Sequence, residues 1–429
     1  MVYIGRRDFF RASSCGLASL ALHQVLGTRK LFASSPLEKD PQGILDLPRG
    51  FHYQIIDRFG QRMSDGFRVP GLPDGMACFA DGNGQLILMR NHELGSEDWA
   101  RAAYPADRIP KEAYRQKMTG GVSRVVLRQS DLRVVSSNMV LTGTSRNCAG
   151  GSSPWGWLSC EEDFREGHGY TFLCNPLAES LEQANVIKSY GRFNHEAVCI
   201  EPTRYAAYLT EDRSDGVLYR FLPDRKEQPF VGRLQALVLR EQKQLKTANG
   251  WEIGDEWDGY WVDLKEPDPK NDTLRYEAHG LGAAIFARGE GIWRNESSIY
   301  VVSTSGGPIG RGQVFKLEDN LETGQARLRL MCQSHQAAAL DCPDNITVSP
   351  QGDVYVAEDG SGEQYIRMID EGGQVYNFAR NAISQSEMAG VCFDPSGQHM
   401  FLNIQKEGLT LAISGPFHQF KQMATAQRN

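Results

Sequence analysis

The sequence has no block of basic residues, and this absence argues against a nucleic-acid partner. Its 46 lysines and arginines are outnumbered by 53 acids, which gives a formal net charge of −7. Proteins that bind nucleic acid neutralise phosphates with a positive surface, and no stretch of this chain provides one. An anionic ligand would have to be attracted locally, by metal ions or by a few arginines.

Two further absences narrow the class of protein. The 9 cysteines include no Cys-x-x-Cys pair, so the sequence predicts neither a zinc ribbon nor a thioredoxin-like motif. No Pro/Ser-rich linker and no shift in composition divides the chain. Because 429 residues are too many for one ordinary core, we expect a repeat architecture.

The N-terminal segment has the features of an export signal. Arg6 and Arg7 precede a mildly apolar run that is too short and too polar to span a membrane. We predict a twin-arginine signal peptide over 1–33 and a single mature domain over 34–429. The mature protein is then a soluble monomer of the periplasm or the exterior, exported by the twin-arginine machinery. The alternative is a basic amphipathic helix that lies on the fold.

Short apolar strands recur at spacings typical of propeller blades. The segments 348–359 and 393–403 both place a Ser/Asp-Pro-x-Gly turn between two strand-like runs, which predicts β-hairpins. The second strands of four further hairpins lie at 86–93, 157–162, 205–212 and 298–303. We therefore expect an all-β fold, a six-bladed β-propeller with short helical insertions. The candidate insertions are 110–118, 176–184 and 234–243.

Polar residues also recur at the start of the first strand of most of the predicted hairpins. They lie in the segments Asn147-Cys148, Asn194-His195-Glu196, Arg288-Gly289-Glu290, Asp344-Asn345 and Glu387-Met388-Ala389-Gly390. The inner strands of a propeller line one channel, so groups distant in sequence meet at its mouth. Arg288 and Glu290 are two residues apart and point to the same face of an extended chain.

The residue types in this pattern indicate metal chemistry. Carboxylates are hard ligands suited to calcium or ferric iron, whereas a single thiolate favours a softer transition metal. Taken singly, each residue has a simpler explanation, since an acid at a strand end is usually solvated and Cys148 alone is more often an inert buried thiol. The recurrence at matched blade positions is what favours a mixed metal cluster beside an anion site.

These segments resemble the hallmark motifs of PhoX-type alkaline phosphatases. The resemblance rests on 143–162, which contains Cys148 and a Trp-Gly-Trp run, and on 191–197, 286–291, 343–346, 389–390 and 401–405, in the same order. It implies a six-bladed propeller, twin-arginine export and a phosphomonoesterase with Fe3+ and Ca2+ at the channel mouth.

The resemblance also implies roles for individual residues. Cys148 would be the thiolate ligand of an iron in the catalytic centre, Arg288 would grip the phosphate, and Asn345 would contact the phosphate or a metal ligand. The carboxylates implied as ligands of iron and calcium are Glu196, Glu290 and Asp344, and the further candidates for the calcium shell are Glu93, Glu161, Glu211 and Glu387. One departure is the turn 405–408, Gln-Lys-Glu-Gly, where Gln-His-Pro-Gly is expected.

The sequence is also compatible with two other functions. A calcium-dependent lactonase or esterase would explain Glu196, Asp344 and Asn345 but gives no task to Cys148 or Arg288. A non-catalytic propeller would use metals only for stability and would bind another protein. For the phosphatase we expect small phosphate esters as substrates, hydrolysed by metal-assisted in-line attack.

Overall fold

The structure, a computed structural model, describes residues 32–33 and 36–426. These residues form an all-β, propeller-like fold with few helices. Of the predicted signal peptide at 1–33, all but Phe32 and Ala33 lies outside the described residues. In the part of the chain that is described, no helix is long and apolar enough to cross a membrane.

The N-terminal half begins with three strands that join sheets formed later in the chain. They are β1 (Phe32–Ala33), β2 (Leu45–Asp46) and β3 (His52–Arg58). Two four-stranded antiparallel sheets of consecutive strands follow. The first contains β4 (Pro73–Ala80), β5 (Gln85–His92), β6 (Gly120–Arg128) and β7 (Val134–Thr144). The second contains β8 (Asn147–Ser153), β9 (Gly156–Glu161), β10 (Thr171–Cys174) and β11 (Val186–Ile187).

The middle of the chain forms one nine-stranded sheet. Its first five strands are β12 (His195–Ile200), β13 (Ala207–Glu211), β14 (Tyr219–Pro223), β15 (Gly232–Leu239) and β16 (Glu256–Asp263). The other four are β17 (Gly289–Arg294), β18 (Ile299–Ser303), β19 (Gln313–Asn320) and β20 (Gln325–Gln333). Strand β16 pairs with both β15 and β20. The prediction of six separate blades is therefore met only in part, because this outer strand merges two sets of four.

The last two sheets combine C-terminal strands with the three N-terminal ones. The fourth sheet contains β21 (Pro343–Val348), β22 (Val354–Glu358), β23 (Tyr365–Ile369) and β24 (Val375–Asn381), and β1 and β2 both pair with β24. The fifth contains β25 (Met388–Phe393), β26 (His399–Ile404) and β27 (Leu409–Ser414), and β3 pairs with β27. These pairings hold the two ends of the chain together.

Helices are few and do not fall where the sequence predicted them. The described α-helices are α1 (Leu274–Leu281) and α2 (Phe420–Ala426), and single 3₁₀ turns lie at Trp99–Arg101, Lys188–Tyr190 and Phe417–Gln419. The segments 110–118 and 176–184 contain only turns and loops, and most of the apolar part of 234–243 lies in β15. Those three helix predictions are wrong, since a short apolar run fits a buried strand as well as a helix.

Six strands form a closed ring around the centre of the fold. These inner strands are β4, β8, β12, β17, β21 and β25; each contacts the next, and β25 contacts β4. Apolar side chains pack between successive sheets, as where Met89 of the first sheet packs in one cluster with Trp157 and Phe172 of the second. The ring brings the N-terminal ends of all six inner strands to one end of the central channel, which we call the channel mouth.

Small residues allow the inner strands to approach closely below the mouth. A Cβ atom on Gly75 would lie 2.5 Å from the Ala149 Cα, and one on Gly291 would lie 2.7 Å from the Asp344 carbonyl oxygen. A cavity of only about 20 Å³ is left between the strands at this level. The channel is thus nearly filled, so a ligand reaches groups at the mouth from that end alone.

Candidate metal centre

The second residue of the inner strands is polar in five cases out of six. These residues are Asp74 in β4, Cys148 in β8, Glu196 in β12, Glu290 in β17 and Asp344 in β21, whereas β25 has an alanine there. In the five strands with a polar second residue the pairing register shifts between the first and the fourth residue, so the polar residue lies within the irregularity, and in β25 the shift begins directly after the alanine. Such bulges redirect side chains, and here they recur beside the five polar groups.

The turn into the inner strands is also repeated. The residue that precedes β4, β8, β17 and β21 has a left-handed backbone, with φ of 43° at Leu72, 46° at Arg146, 56° at Arg288 and 51° at Cys342. This conformation is strained for non-glycine residues and is concentrated at functional sites. At two of these positions the residue is an arginine beside the carboxylates of the mouth.

A second set of polar side chains follows the second strand of each hairpin. Glu93 follows β5, Glu162 follows β9, Asp212 follows β13 and Asp359 follows β22. Gln405 follows β26, and its Nε2 donates hydrogen bonds to Asp74 at 3.0 Å and to Glu93 at 2.9 Å. The strand ends and the inner strands therefore meet at the same mouth.

Three groups of carboxylates at the mouth are close enough to share a cation. In each group one oxygen per residue lies within 4.8 Å of the others. The groups are Asp74/Glu93/Glu387, Asp344/Asp359/Glu387 and Glu196/Glu290/Asp344. Because Asp344 and Glu387 each belong to two groups, the seven residues form one continuous acidic cluster.

Burial and mutual repulsion raise the pKa values of these acids. The pKa of Asp74, Glu196, Glu290 and Glu387 lies well above the usual range, first through burial and then through neighbouring acids. Burial raises the pKa of Glu93 and of Asp344 to about 7, with further contributions from Glu162 and Asp359 respectively. Bound cations would remove this cost by stabilising the ionised forms. The donor set is therefore suited to metal ions.

Arg288 contacts the cluster through part of its guanidinium group. Its Nε and Nη2 donate to the two oxygens of Asp212 at 2.7 and 3.0 Å, and Nη2 lies 2.9 Å from Glu290 Oε1. The side chain is 43% exposed, and these contacts leave Nη1 for another partner. The predicted proximity of Arg288 and Glu290 is confirmed. The positively charged guanidinium of Arg288 therefore lies next to the carboxylates of the mouth.

Cys148 lies beside Glu196 at the edge of the cluster. Its thiol is buried and sits 3.3 Å from the His195 carbonyl oxygen. Burial, followed by the charges of Glu196 and Glu162, raises the pKa of this thiol well above its usual value. Without a cation the sulfur thus keeps its proton, and a thiophilic metal would be needed to hold it as a thiolate.

Asn345 links two inner strands. Its Nδ2 donates to Asp344 Oδ1 at 2.8 Å, and its Oδ1 accepts a hydrogen bond from the Gly390 backbone nitrogen. The residue therefore orients Asp344, and only the second hydrogen of its Nδ2 is left for a ligand.

Glu161 and Glu211 were predicted in the calcium shell, but the structure places them outside the acidic cluster. Glu161 accepts from His168 Nδ1 at 2.8 Å and from the Ser145 and Gly169 backbone nitrogens at 2.9 Å. Glu211 bonds the Tyr219 hydroxyl at 3.0 Å and lies 3.4 Å from an Arg275 nitrogen. Both residues are fully buried, and their bonds hold neighbouring segments of the chain together.

The predicted residues Glu161 and Glu211 differ by one position along the chain from the acids that face the mouth. Successive side chains of a strand point to opposite faces, so the last residues of β9 and β13 face the packed interior. The residues that follow them, Glu162 and Asp212, face the mouth, where Glu162 lies 2.6 Å from Arg146 Nη2. The signal was present in the sequence, since Glu93, Glu162, Asp212 and Asp359 all follow directly on an apolar second strand.

Glu161 and Glu162 offer a matched test of this register. We expect Glu161→Gln to lower the free energy of unfolding by roughly 1–3 kcal/mol, because the new amide faces backbone donors and leaves a buried bond unmade. Glu162→Gln should leave the unfolding midpoint nearly unchanged but weaken metal retention by roughly tenfold or more. Thermal unfolding and metal analysis of both variants check this. Equal effects of the two changes on both readouts would contradict the assignment.

Asp74 and Asp359 are the two members of the cluster that were not among the predicted site residues, and Asp74 is the harder of the two to find from the sequence. It is only 6% exposed, and it belongs to the group with Glu93 and Glu387. The strand β4 that carries it has no Asn or Arg motif like those that marked the other inner strands. Only its place before the predicted strand at 86–93 could have indicated it.

The fold and the site together define a propeller-like β-protein with a candidate metal centre at its channel mouth. The chain belongs to the alkaline phosphatase PhoX family, whose family model matches residues 32–408. Alkaline phosphatases are phosphomonoester hydrolases, and members of this family depend on metal ions. No curated protein sequence is significantly similar to this chain.

One solved structure supports the propeller-like fold. The chain is similar to Pseudomonas fluorescens PhoX in complex with vanadate, a transition state analogue, with a TM-score of 0.72 and 17% identity over 90% of this chain and 98% of that one. It is less similar to XC5397 from Xanthomonas campestris, a gluconolactonase, with a TM-score of 0.46 and 13% identity over 89% of this chain and 97% of that one.

Proposed function

We propose that this chain hydrolyses phosphate monoesters at the acidic cluster. The observation on which this depends is the set of three carboxylate groups that share Asp344 and Glu387 within one mouth. Seven acids packed this closely cannot all be ionised at neutral pH without cations. Family membership supports the reaction, and the cluster supports its location at the channel mouth.

The metals that fit this donor set are ferric iron and calcium. Cys148 and Glu196 would hold iron together with Glu290 and Asp344, because a thiolate selects a transition metal. The oxygen-only groups that contain Glu387 suit calcium. When bound, these ions would supply Lewis acidity toward the phosphate oxygens and lower the pKa of a water nucleophile.

The side chains of the mouth have defined tasks toward the substrate. The free Nη1 of Arg288 would bind an equatorial phosphate oxygen, and its contacts with Asp212 hold the guanidinium in a fixed orientation. Asn345 would donate its remaining amide hydrogen to the phosphate while keeping Asp344 oriented. The nearly filled channel below the cluster leaves a cavity of only about 20 Å³, which is too small for a substrate to approach from that side. Charge growing on the phosphate therefore meets donors that are already in position.

Two substrates decide between this function and a lactonase. Purified protein should release phosphate from a chromogenic phosphomonoester, should lose this activity after treatment with a strong chelator, and should leave a simple lactone intact. Hydrolysis of the lactone without phosphate release would favour the calcium-dependent lactonase. Inactivity toward both substrates in metal-replete protein would favour a binding propeller.

The raised pKa values predict that metal loading depends on pH. Burial raises the pKa of Glu93, Glu162 and Asp344 to about 7, so protons compete with cations below that pH. Calcium titration of chelator-treated protein should give a lower affinity at pH 6 than at pH 8, and loading at pH 6 should release protons. An affinity that is equal at the two pH values would contradict this.

Three finer features belong to the same proposal. The sets β12–β15 and β17–β20 each have an inner strand in the ring, which supports reading the nine-stranded sheet as two blades of a six-bladed propeller. The Arg6-Arg7 pair supports a twin-arginine signal over 1–33, with export to the periplasm or exterior. Residues 34–429 would then form one monomeric domain, which size-exclusion chromatography and N-terminal sequencing of exported protein would test.

A further inference from the structure

Phe164 is an exposed aromatic residue beside the acidic cluster. It lies on the loop that leaves β9, two residues after Glu162, and the residue is 46% exposed. Two residues of extended chain span about 7 Å, so the ring is within reach of a group attached to a phosphate at the mouth. The proposed metal binding by the cluster and the proposed phosphate binding by Arg288 do not involve this ring.

The loop that carries Phe164 is fixed by buried charged groups. The guanidinium of Arg192, which is only 4% exposed, donates to the carbonyl oxygens of Phe164 and Arg165. Asp163 binds Arg165 on the other side, and Arg165 Nη2 donates to Ser145 Oγ at 2.7 Å. The ring is therefore held out at the mouth by a rigid segment rather than by a loose one.

One face of the Phe164 ring is already occupied. The Arg213 guanidinium carbon lies 4.7 Å from the ring centroid, a cation–π contact. Arg213 follows Asp212, the partner of Arg288, and its carbonyl oxygen accepts a hydrogen bond from the Arg288 backbone nitrogen at 2.9 Å. The chain around Arg213 thus ties the aromatic ring to the residue proposed to grip the phosphate, while 46% of Phe164 stays exposed.

We infer that the exposed ring of Phe164 stacks on an aromatic leaving group, so that the preferred substrates are phosphate monoesters of aromatic or arylmethyl alcohols. This inference rests on the proposed function and adds a substrate class to it. Two stacked rings attract each other beyond the effect of area alone, and the gain corresponds to a preference of about two- to tenfold. Phe164 acts here as a specificity-determining residue and takes no part in bond breaking.

The test compares substrates whose leaving groups have similar acidity. Benzyl phosphate and ethyl phosphate release alcohols of comparable pKa, so a difference between them reports recognition of the ring and not chemistry. Cyclohexylmethyl phosphate separates ring stacking from simple apolar burial. The variants are Phe164→Leu, Phe164→Tyr as the conservative replacement, and Tyr260→Leu as a matched control on the outer strand β16, where Arg240 lies 5.1 Å from the ring centroid.

The unaltered protein should prefer benzyl phosphate over both other esters by about fivefold in kcat/KM, mainly through KM. Phe164→Leu should abolish that preference and leave kcat/KM for ethyl phosphate within twofold, whereas Phe164→Tyr and Tyr260→Leu should keep the preference. An equal loss toward all three esters in Phe164→Leu, or no preference in the unaltered protein, would overturn the inference. Absence of turnover with any of the esters would overturn the proposed function as well.

Discussion

Replacing Asp344 by asparagine should reduce phosphatase activity by about a thousandfold or more while the protein stays folded. Asp344 supplies an oxygen to two of the three carboxylate groups, so its loss impairs both at once. A bound metal contributes several kcal/mol of transition-state stabilisation, and each 1.4 kcal/mol is about tenfold in rate. Phosphate release from a phosphomonoester, measured with excess calcium and iron present, checks the prediction.

A control for Asp344→Asn lies on the same hairpin. Asp353 occupies the turn between β21 and β22, at the opposite end of β21 from Asp344. Asp353→Asn should leave kcat and the metal content unchanged, and both variants should unfold cooperatively. If Asp344→Asn retained more than a tenth of the activity, the two groups that share this residue would not be the reaction centre.

The second large effect is expected at Arg288. Replacement by alanine removes the guanidinium that contacts Asp212 and Glu290, together with the nitrogen left free for substrate. Losing one preorganised charge partner of a transition state costs about 2–4 kcal/mol, so kcat should fall by roughly a hundredfold or more. Arg288→Lys should recover only part of the rate, since an ammonium group cannot reproduce the planar fork.

A surface arginine provides the comparison for Arg288. Arg327 on β20 pairs with Asp258 at 3.2 Å, and its side chain is 54% exposed. Exposed pairs of this kind stabilise a protein by about 1 kcal/mol at most, so Arg327→Ala should leave kcat and the unfolding midpoint nearly unchanged. A normal turnover in Arg288→Ala would remove this residue from the mechanism.

The strands of the fold were more predictable than its sheets. Turn chemistry located the second strands, and the structure confirms hairpins at 348–359 and 393–403 as β21–β22 and β25–β26. The joining of β12–β15 and β17–β20 into one sheet through β16 could not be predicted, because that pairing depends on how distant strands meet. The helix α1 was missed for a different reason: at eight residues it is too short for its helical spacing of apolar residues to stand out in the sequence.

The candidate site was predictable in its residue types and less so in its register. Strand openings predicted Glu196, Glu290 and Asp344, and the structure brings all three within one group. The structure places Glu161 in the packed interior and Glu162 at the mouth, because a one-residue change of register sends a side chain to the opposite face. The residue at which strand pairing ends decides which of two adjacent acids faces the packed interior and which faces the mouth. The sequence alone does not define that residue.

Metal content measured by inductively coupled plasma mass spectrometry, on protein purified without added metal, tests the central claim most directly. If the acids and the thiol at the channel mouth jointly hold the reaction's cations, both iron and calcium should accompany the unaltered chain, and Asp344→Asn should lose most of each. Protein that hydrolyses phosphomonoesters yet contains neither metal, or contains calcium alone, would contradict the account.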